Sequence, residues 1–171
     1  CAVCDGALYN GKTVAVYGGG SSALQDALLL SETCKNVYLI HRRSAFRGEA
    51  ALVEALKARS NVTFLLETTI EALLGDGELT SVTLNRDGQT KTLPLDGLFV
   101  AIGHVPDLSV FASLLSLDAA GYALSGEDCL TPTPGLFVAG DCRTKKIRQV
   151  TTAVADGSVA ALAACSYLDA V

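Results

Sequence analysis

Residues 13–23, TVAVYGGGSSA, constrain the possible folds of this chain more than any other stretch. A β-rich run over 13–17 leads directly into Gly18-Gly19-Gly20. Residues 21–34 then place Ala23, Leu24, Ala27, Leu28 and Leu30 at helical spacing. In that order each small residue has a task. Gly18 permits a tight turn, Gly20 lets a pyrophosphate approach the backbone, and Ala23 keeps helix and strand close. The amides at the helix N-terminus, around Ser21 and Ser22, would supply an anion site. Glycine-rich turns are common by themselves; strand, glycines and helix in sequence predict a dinucleotide site.

The same alternation continues downstream. VYLIH (37–41) reads as a second strand, GEAALVEALKARS (48–60) as a second helix and VTFLL (62–66) as a third strand. Strands alternating with helices make parallel βαβ units, so the fold class is α/β, a three-layer Rossmann-like dinucleotide-binding domain. Residues 78–95 hold two alternating runs around Asp87-Gly88, a hairpin signal. GLFVAIG (97–103) is a continuous apolar strand, and a domain boundary is expected near residue 104. Residues 105–171 give two short strand signals, 121–125 and 135–140, and one long helix over roughly 150–168. GLFVA occurs at both 97–101 and 135–139, an echo expected of two related nucleotide-binding halves. A segment of ~65 residues with this content cannot close its own core, so 105–171 reads as part of an incomplete second domain.

Which dinucleotide is bound is decided about 20 residues past the glycines, where an NAD site places an acid on the ribose hydroxyls. This chain has His41-Arg42-Arg43 there, with Arg47 four residues later. Guanidinium forks bind a 2′-phosphate bidentately, whereas a carboxylate would repel it; the expectation is NADPH.

The chain opens CAVCDG, with Cys1 and Cys4 in Cys-x-x-Cys spacing. A structural zinc site would need two more ligands, but Cys34, Cys129, Cys142, Cys165, His41 and His104 are all isolated in sequence. The pair therefore reads as a redox dithiol, with no metal. Asp5 could serve it as general acid/base, or Asp5-Gly6 could simply form a turn. No methionine occurs in the 171 residues, so the chain is expected to start partway into a longer protein. Net charge of −5 argues against a nucleic-acid surface. No apolar run approaches ~18 residues, so no membrane span is expected. The opening residues lack the basic and apolar regions of a signal peptide. Six cysteines with one close pair suit a reducing cytoplasm better than a secreted disulfide framework.

Taken together, CAVCDG (1–6), GGGSSA (18–23), HRRSAFR (41–47), AIGHVP (101–106), GLFVAGD (135–141) and Arg148-Gln149 resemble bacterial-type thioredoxin reductase across the whole chain. The resemblance implies a homodimeric flavoprotein in which an NADPH domain is inserted into an FAD domain. Residues 1–104 would then be the NADPH domain carrying the thiol pair, and 105–171 the C-terminal part of a discontinuous FAD domain. It implies NADPH contacts from Gly18, Gly19, Gly20, Ser21, Ser22, Ala23, His41, Arg42, Arg43, Arg47, Ile102 and Gly103. It implies FAD contacts from Gly140, Asp141, Arg148, Gln149 and Val150. Cys4 would face the flavin, Cys1 would attack the disulfide of thioredoxin or a similar protein, and Asp5 would handle protons. The family's own FAD fingerprint, Gly-x-Gly-x-x-Gly, does not occur in these residues. The first helix also departs from the family pattern, with Ser21-Ser22 and Gln25-Asp26 where the family has Asn-Thr or Asp-Ser and then Glu-Glu. The loss of an acid at Gln25 removes a possible nicotinamide contact. A flavoprotein reductase of an alkyl hydroperoxide system carries similar motifs but prefers NADH, against which Arg42, Arg43 and Arg47 count. Taken by itself, the chain is expected to bind NADPH without turnover.

Overall fold

The computed structural model describes residues 1–170, and the chain divides into two compact units, Cys1–Gly103 and the residues from His104 onward. In the first unit, β1 (Thr13–Gly18), β2 (Asn36–Ile40), β3 (Val62–Leu65) and β7 (Gly97–Ala101) form a parallel sheet in the order β3-β2-β1-β7. The register pairs Val14 with Val37 on one side and with Gly97 on the other. Burial on both faces explains the unbroken apolar run of β1, in which Val14, Ala15 and Val16 are fully buried. Side chains alternate across a strand. Val14 and Val16 join Ala23, Leu24, Ala27 and Leu30 of α2 (Ser21–Leu30) and Leu56 of α3 (Ala50–Lys57) in one core. Ala15 faces the opposite way, into a second core with Ile40, Val82, Leu84 and Leu95. That second face is covered by an antiparallel sheet in the order β4-β5-β6, made of Thr69–Leu74, Ser81–Arg86 and Gln89–Pro94. The unit is thus three layers: helices, parallel sheet, antiparallel sheet.

One local expectation is corrected, and one strand was not expected from the sequence. The first helix ends at Leu30 rather than near residue 34, because the Ser31 hydroxyl turns back to donate to the Leu28 carbonyl at 2.6 Å. Strand β4 carries no clear alternation in sequence; it is a mostly exposed edge strand with an irregularity between Ile70 and Ala72. Its partner β5 supplies the buried Val82 and Leu84 instead.

In the second unit, the runs 121–125 and 135–140 are not strands. They make only isolated bridges, Leu117 with Ala123, Ala123 with Arg143, and Leu130 with Phe137. The two GLFVA copies therefore differ: 97–101 is β7 in a ladder, whereas 135–139 finds a single bridge at Phe137. The helix α4, Val150–Asp169, runs 20 residues and buries one of them, Asp156. Around Asp156 lie the other buried groups of this unit, Ala123, Cys129, Val138 and Arg143. No helix among the described residues is long and apolar enough to cross a membrane.

Candidate active site

Strand β1 ends at the glycine turn, and each of the three glycines meets different surroundings. A Cβ on Gly18 would overlap the Ala101 carbonyl, and one on Gly19 would overlap the His41 imidazole. A Cβ on Gly20 would meet nothing within 4 Å. The backbone is therefore packed on the inner side and open on the outer, which is where a phosphate would approach. Gly20 caps α2 without a side chain, so the first amides of the helix carry no side-chain acceptor from the cap.

The segment after β2 folds back over this turn. The Arg47 and Gly48 amides both donate to the Gly19 carbonyl, at 2.8 and 3.2 Å. The Glu49 amide donates to the Ser21 hydroxyl at 3.3 Å, tying the start of α3 to the start of α2. Ala23 is buried beneath the turn, while Ser22 is exposed. A cavity of about 200 Å³ results, lined by Tyr17, Gly18, Gly19, His41, Arg42, Arg47 and Ile102. Arg43 is not among its lining residues; its carbonyl accepts from the Glu67 amide at 3.2 Å. Gly103 is exposed just past β7.

His41 lies at the floor of this cavity, stacked on Phe46 with ring centroids 5.5 Å apart. Burial pushes its pKa below the ordinary imidazole value, and the charges of Arg47, Arg43 and Arg42 act the same way, against a hydrogen bond to the Ala45 backbone. Its Nε2 is buried with no hydrogen-bond partner. An open glycine backbone and two guanidinium groups are donor chemistry suited to a phosphorylated dinucleotide.

Cys1 and Cys4 are joined as a disulfide, with Cα atoms 5.3 Å apart, on the one-turn helix α1 (Ala2–Asp5). The Cys4 amide donates to Cys1 Sγ at 3.3 Å, and the Cys4 and Asp5 amides both donate to the Cys1 carbonyl. Both cysteines and Asp5 are exposed, while Ala2 is buried in the same core as α2. Sequence reading named Asp26 but gave it no role at the disulfide. Its carboxylate accepts from the Ala2 backbone, and burial raises its pKa above the usual carboxylate range. Of the two acids in the family pattern, the one at position 26 is kept, and it meets the disulfide turn.

In the second unit, Gly140–Cys142 forms a 3-10 turn in which Gly140 takes φ +82°, a left-handed conformation that favours glycine. Asp141 is exposed on that turn, and its carbonyl accepts from Arg148 Nε at 3.2 Å. The Arg148 guanidinium lies over the Tyr122 ring, 4.0 Å from its centroid. Gln149 caps α4 in a reciprocal capping box with Thr152, and Val150 opens the helix exposed. An open carboxylate beside an open helix start suits the hydroxyl-rich chain and ring of a flavin. Behind the turn lies an unexpected ion cluster of Arg143, Lys145 and Asp156. The hints in sequence were the charges of Cys-Arg-Thr-Lys-Lys (142–146) and an acid in the middle of a small-residue helix.

A glycine turn under a basic cavity, with a disulfide packed on the same helix, defines a dinucleotide-binding oxidoreductase unit. The chain belongs to the family of pyridine nucleotide-disulphide oxidoreductases, whose sequence profile matches residues 2–157. It is 47% identical over 165 residues to the thioredoxin reductase of Mycoplasma genitalium, covering 95% of this chain and 52% of that protein. It is 42% identical over 180 residues to that of Coxiella burnetii, covering 99% and 56%. Among solved structures, thioredoxin reductase from Streptococcus pyogenes superposes with a TM-score of 0.89 at 32% identity, over 100% of this chain and 57% of that one. The enzyme from Giardia duodenalis gives a TM-score of 0.81 at 38% identity, over 99% and 57%. The chain spans about half the length of the curated relatives it matches.

Proposed function

We propose that this chain is the NADPH-binding and C-terminal FAD-binding portion of a thioredoxin reductase, passing electrons from NADPH through FAD and the Cys1–Cys4 pair to thioredoxin. The observation that carries this reading is the placement of α1 and the glycine turn on one helix. α2 opens the nucleotide cavity at its N-terminus and packs the disulfide turn through Ala2 and Asp26. Arg42 and Arg47 hold the 2′-phosphate, with the neutral His41 in the cavity wall beside them. Ile102 borders the pocket, and Arg43 contributes field rather than contact. In the second unit Asp141 would hold the ribityl or pyrophosphate region of FAD, and Arg148, Gln149 and Val150 would lie beside its ring.

When bound, the two cofactors supply hydride and, to the disulfide, two electrons. Opening the Cys1–Cys4 bond takes those two electrons and two protons. Asp5, next in chain to Cys4, is placed to exchange one of the protons with solvent. Cys1, facing the Cys4 amide, attacks the thioredoxin disulfide to form a mixed disulfide, releasing one thioredoxin thiolate. Cys4 then attacks Cys1 Sγ, releasing the second thioredoxin thiolate and restoring the Cys1–Cys4 bond.

The same reading includes a homodimer in the cytoplasm. The exposed Val150, Val154, Leu162 and Leu168 of α4 support further protein packed on this helix. The unpaired Cys34, Cys129, Cys142 and Cys165 support a reducing compartment. The test is turnover by the full-length protein. NADPH consumption should require both thioredoxin disulfide and an intact Cys4, and Cys4→Ser should stop it. Thioredoxin-dependent turnover persisting in Cys4→Ser would remove the basis for this assignment.

A further inference from the structure

Asp156 is the only buried residue of α4, and four hydrogen bonds from three residues converge on its carboxylate. Oδ2 accepts from the Gly140 amide at 3.0 Å, from Arg143 Nε at 2.7 Å and from Lys145 Nζ at 2.8 Å. Oδ1 accepts from Arg143 Nη2 at 2.7 Å. Lys145 Nζ also donates to the Thr152 carbonyl in the first turn of α4, at 3.3 Å. The remaining acid, Glu127, reaches Arg143 at 3.3 Å, but its side chain is 95% exposed whereas that of Arg143 is 2% exposed. Two buried cations therefore depend on one buried anion.

We infer that Asp156 is the positioning residue of the flavin-facing edge. Its single carboxylate holds the Gly140–Cys142 turn directly and the start of α4 through Lys145, fixing Asp141 relative to Arg148, Gln149 and Val150. This role rests on the flavoprotein reading above. Charge, and not only shape, is required. An asparagine at 156 could still accept from Gly140, but its amide would present a donor to Arg143 or Lys145, leaving Lys145 without an anion and Arg143 with only the exposed Glu127.

The test uses the full-length apoprotein titrated with FAD well below its unfolding temperature, with the visible circular dichroism of bound flavin as a second readout. Asp156→Asn should weaken FAD binding by about tenfold or more and alter the flavin dichroism. NADPH affinity, read at the other unit, should stay within about twofold. Lys145→Met keeps the Arg143–Asp156–Gly140 bonds and removes the link from Asp156 through Lys145 to Thr152; it should weaken FAD by about threefold, with the dichroism shifted the same way. Glu127→Gln, at the exposed rim, should leave FAD affinity within about twofold. An Asp156→Asn protein that melts earlier but keeps wild-type FAD affinity and dichroism overturns the inference, because the cluster then serves stability alone. If Asp156→Asn does not fold, Lys145→Met decides, and wild-type values in that variant overturn it equally. A wild-type protein that takes up no FAD overturns the flavoprotein reading itself, and this role with it.

Discussion

Replacing Arg47 separates the 2′-phosphate account from a general basic surface. Its backbone amide is anchored to the Gly19 carbonyl at 2.8 Å, so the guanidinium starts from a fixed point above the glycine turn. Both Arg42 and Arg47 line the cavity, and both are exposed. A hydrogen bond to a charged group contributes about 1.5–3 kcal/mol, and solvent exposure lowers that toward about 1–2 kcal/mol. Arg47→Ala should therefore raise KM for NADPH by about 5–30-fold. Arg42→Ala should do the same, and the two together by about 100-fold, since both groups serve one phosphate and add imperfectly. The lost contact is present in ground and transition states alike, so kcat at saturation should hold. NADH lacks the phosphate, and its KM should move by less than about twofold. Arg43, outside the cavity, is the internal control. Steady-state kinetics of the full-length enzyme with both nucleotides make the comparison. Equal losses for NADPH and NADH, or an Arg43→Ala loss as large as that of Arg47→Ala, would refute the reasoning.

The glycine turn and His41 yield two further expectations. Gly20→Ala should fold with a loss of no more than about 1 kcal/mol by urea titration, since its methyl meets no protein atom within 4 Å. The same variant should bind NADPH at least tenfold more weakly, by about 1.4 kcal/mol, because that methyl fills the approach to the backbone; wild-type affinity would place the phosphate elsewhere. For His41, burial lowers the folded-state pKa, so the unfolded chain takes up a proton first as pH falls. Stability should be fully present above about pH 6.5, and lost progressively as pH drops from there through the lowered folded value. Urea midpoints at several pH values, compared with His41→Gln, test this; an identical pH dependence in the variant would rule the imidazole out.

The first unit was largely legible because each of its signals is local. Buried on both faces, β1 shows as an apolar run, and the turn that follows it must be glycine where Gly18 and Gly19 press against Ala101 and His41. Arg42 and Arg47 could be placed by counting from that turn. Arg43 could not be set apart, because only the fold-back of 42–48 onto Gly19 decides which guanidinium faces the cavity. Strand β4 was not legible, since an exposed edge strand has no buried face to impose alternation. In the second unit, 121–125 and 135–140 have strand-like patterns but make single bridges in place of ladders. The Arg143–Asp156 pair, 13 residues apart in sequence, is visible only in three dimensions. Asp26 was noted as a departure from pattern, while its contact with the redox turn needed the packing of α1 on α2.

The most direct test of the central claim is thiol trapping in the full-length protein. The oxidised protein is alkylated under anaerobic conditions before and after one equivalent of NADPH, and the labelled cysteines are located by mass spectrometry. The account predicts that NADPH newly exposes two thiols, Cys1 and Cys4, and that thioredoxin disulfide added after NADPH but before the alkylating reagent leaves both unlabelled again. A Cys1–Cys4 bond that stays closed while NADPH is consumed and thioredoxin is reduced would contradict it.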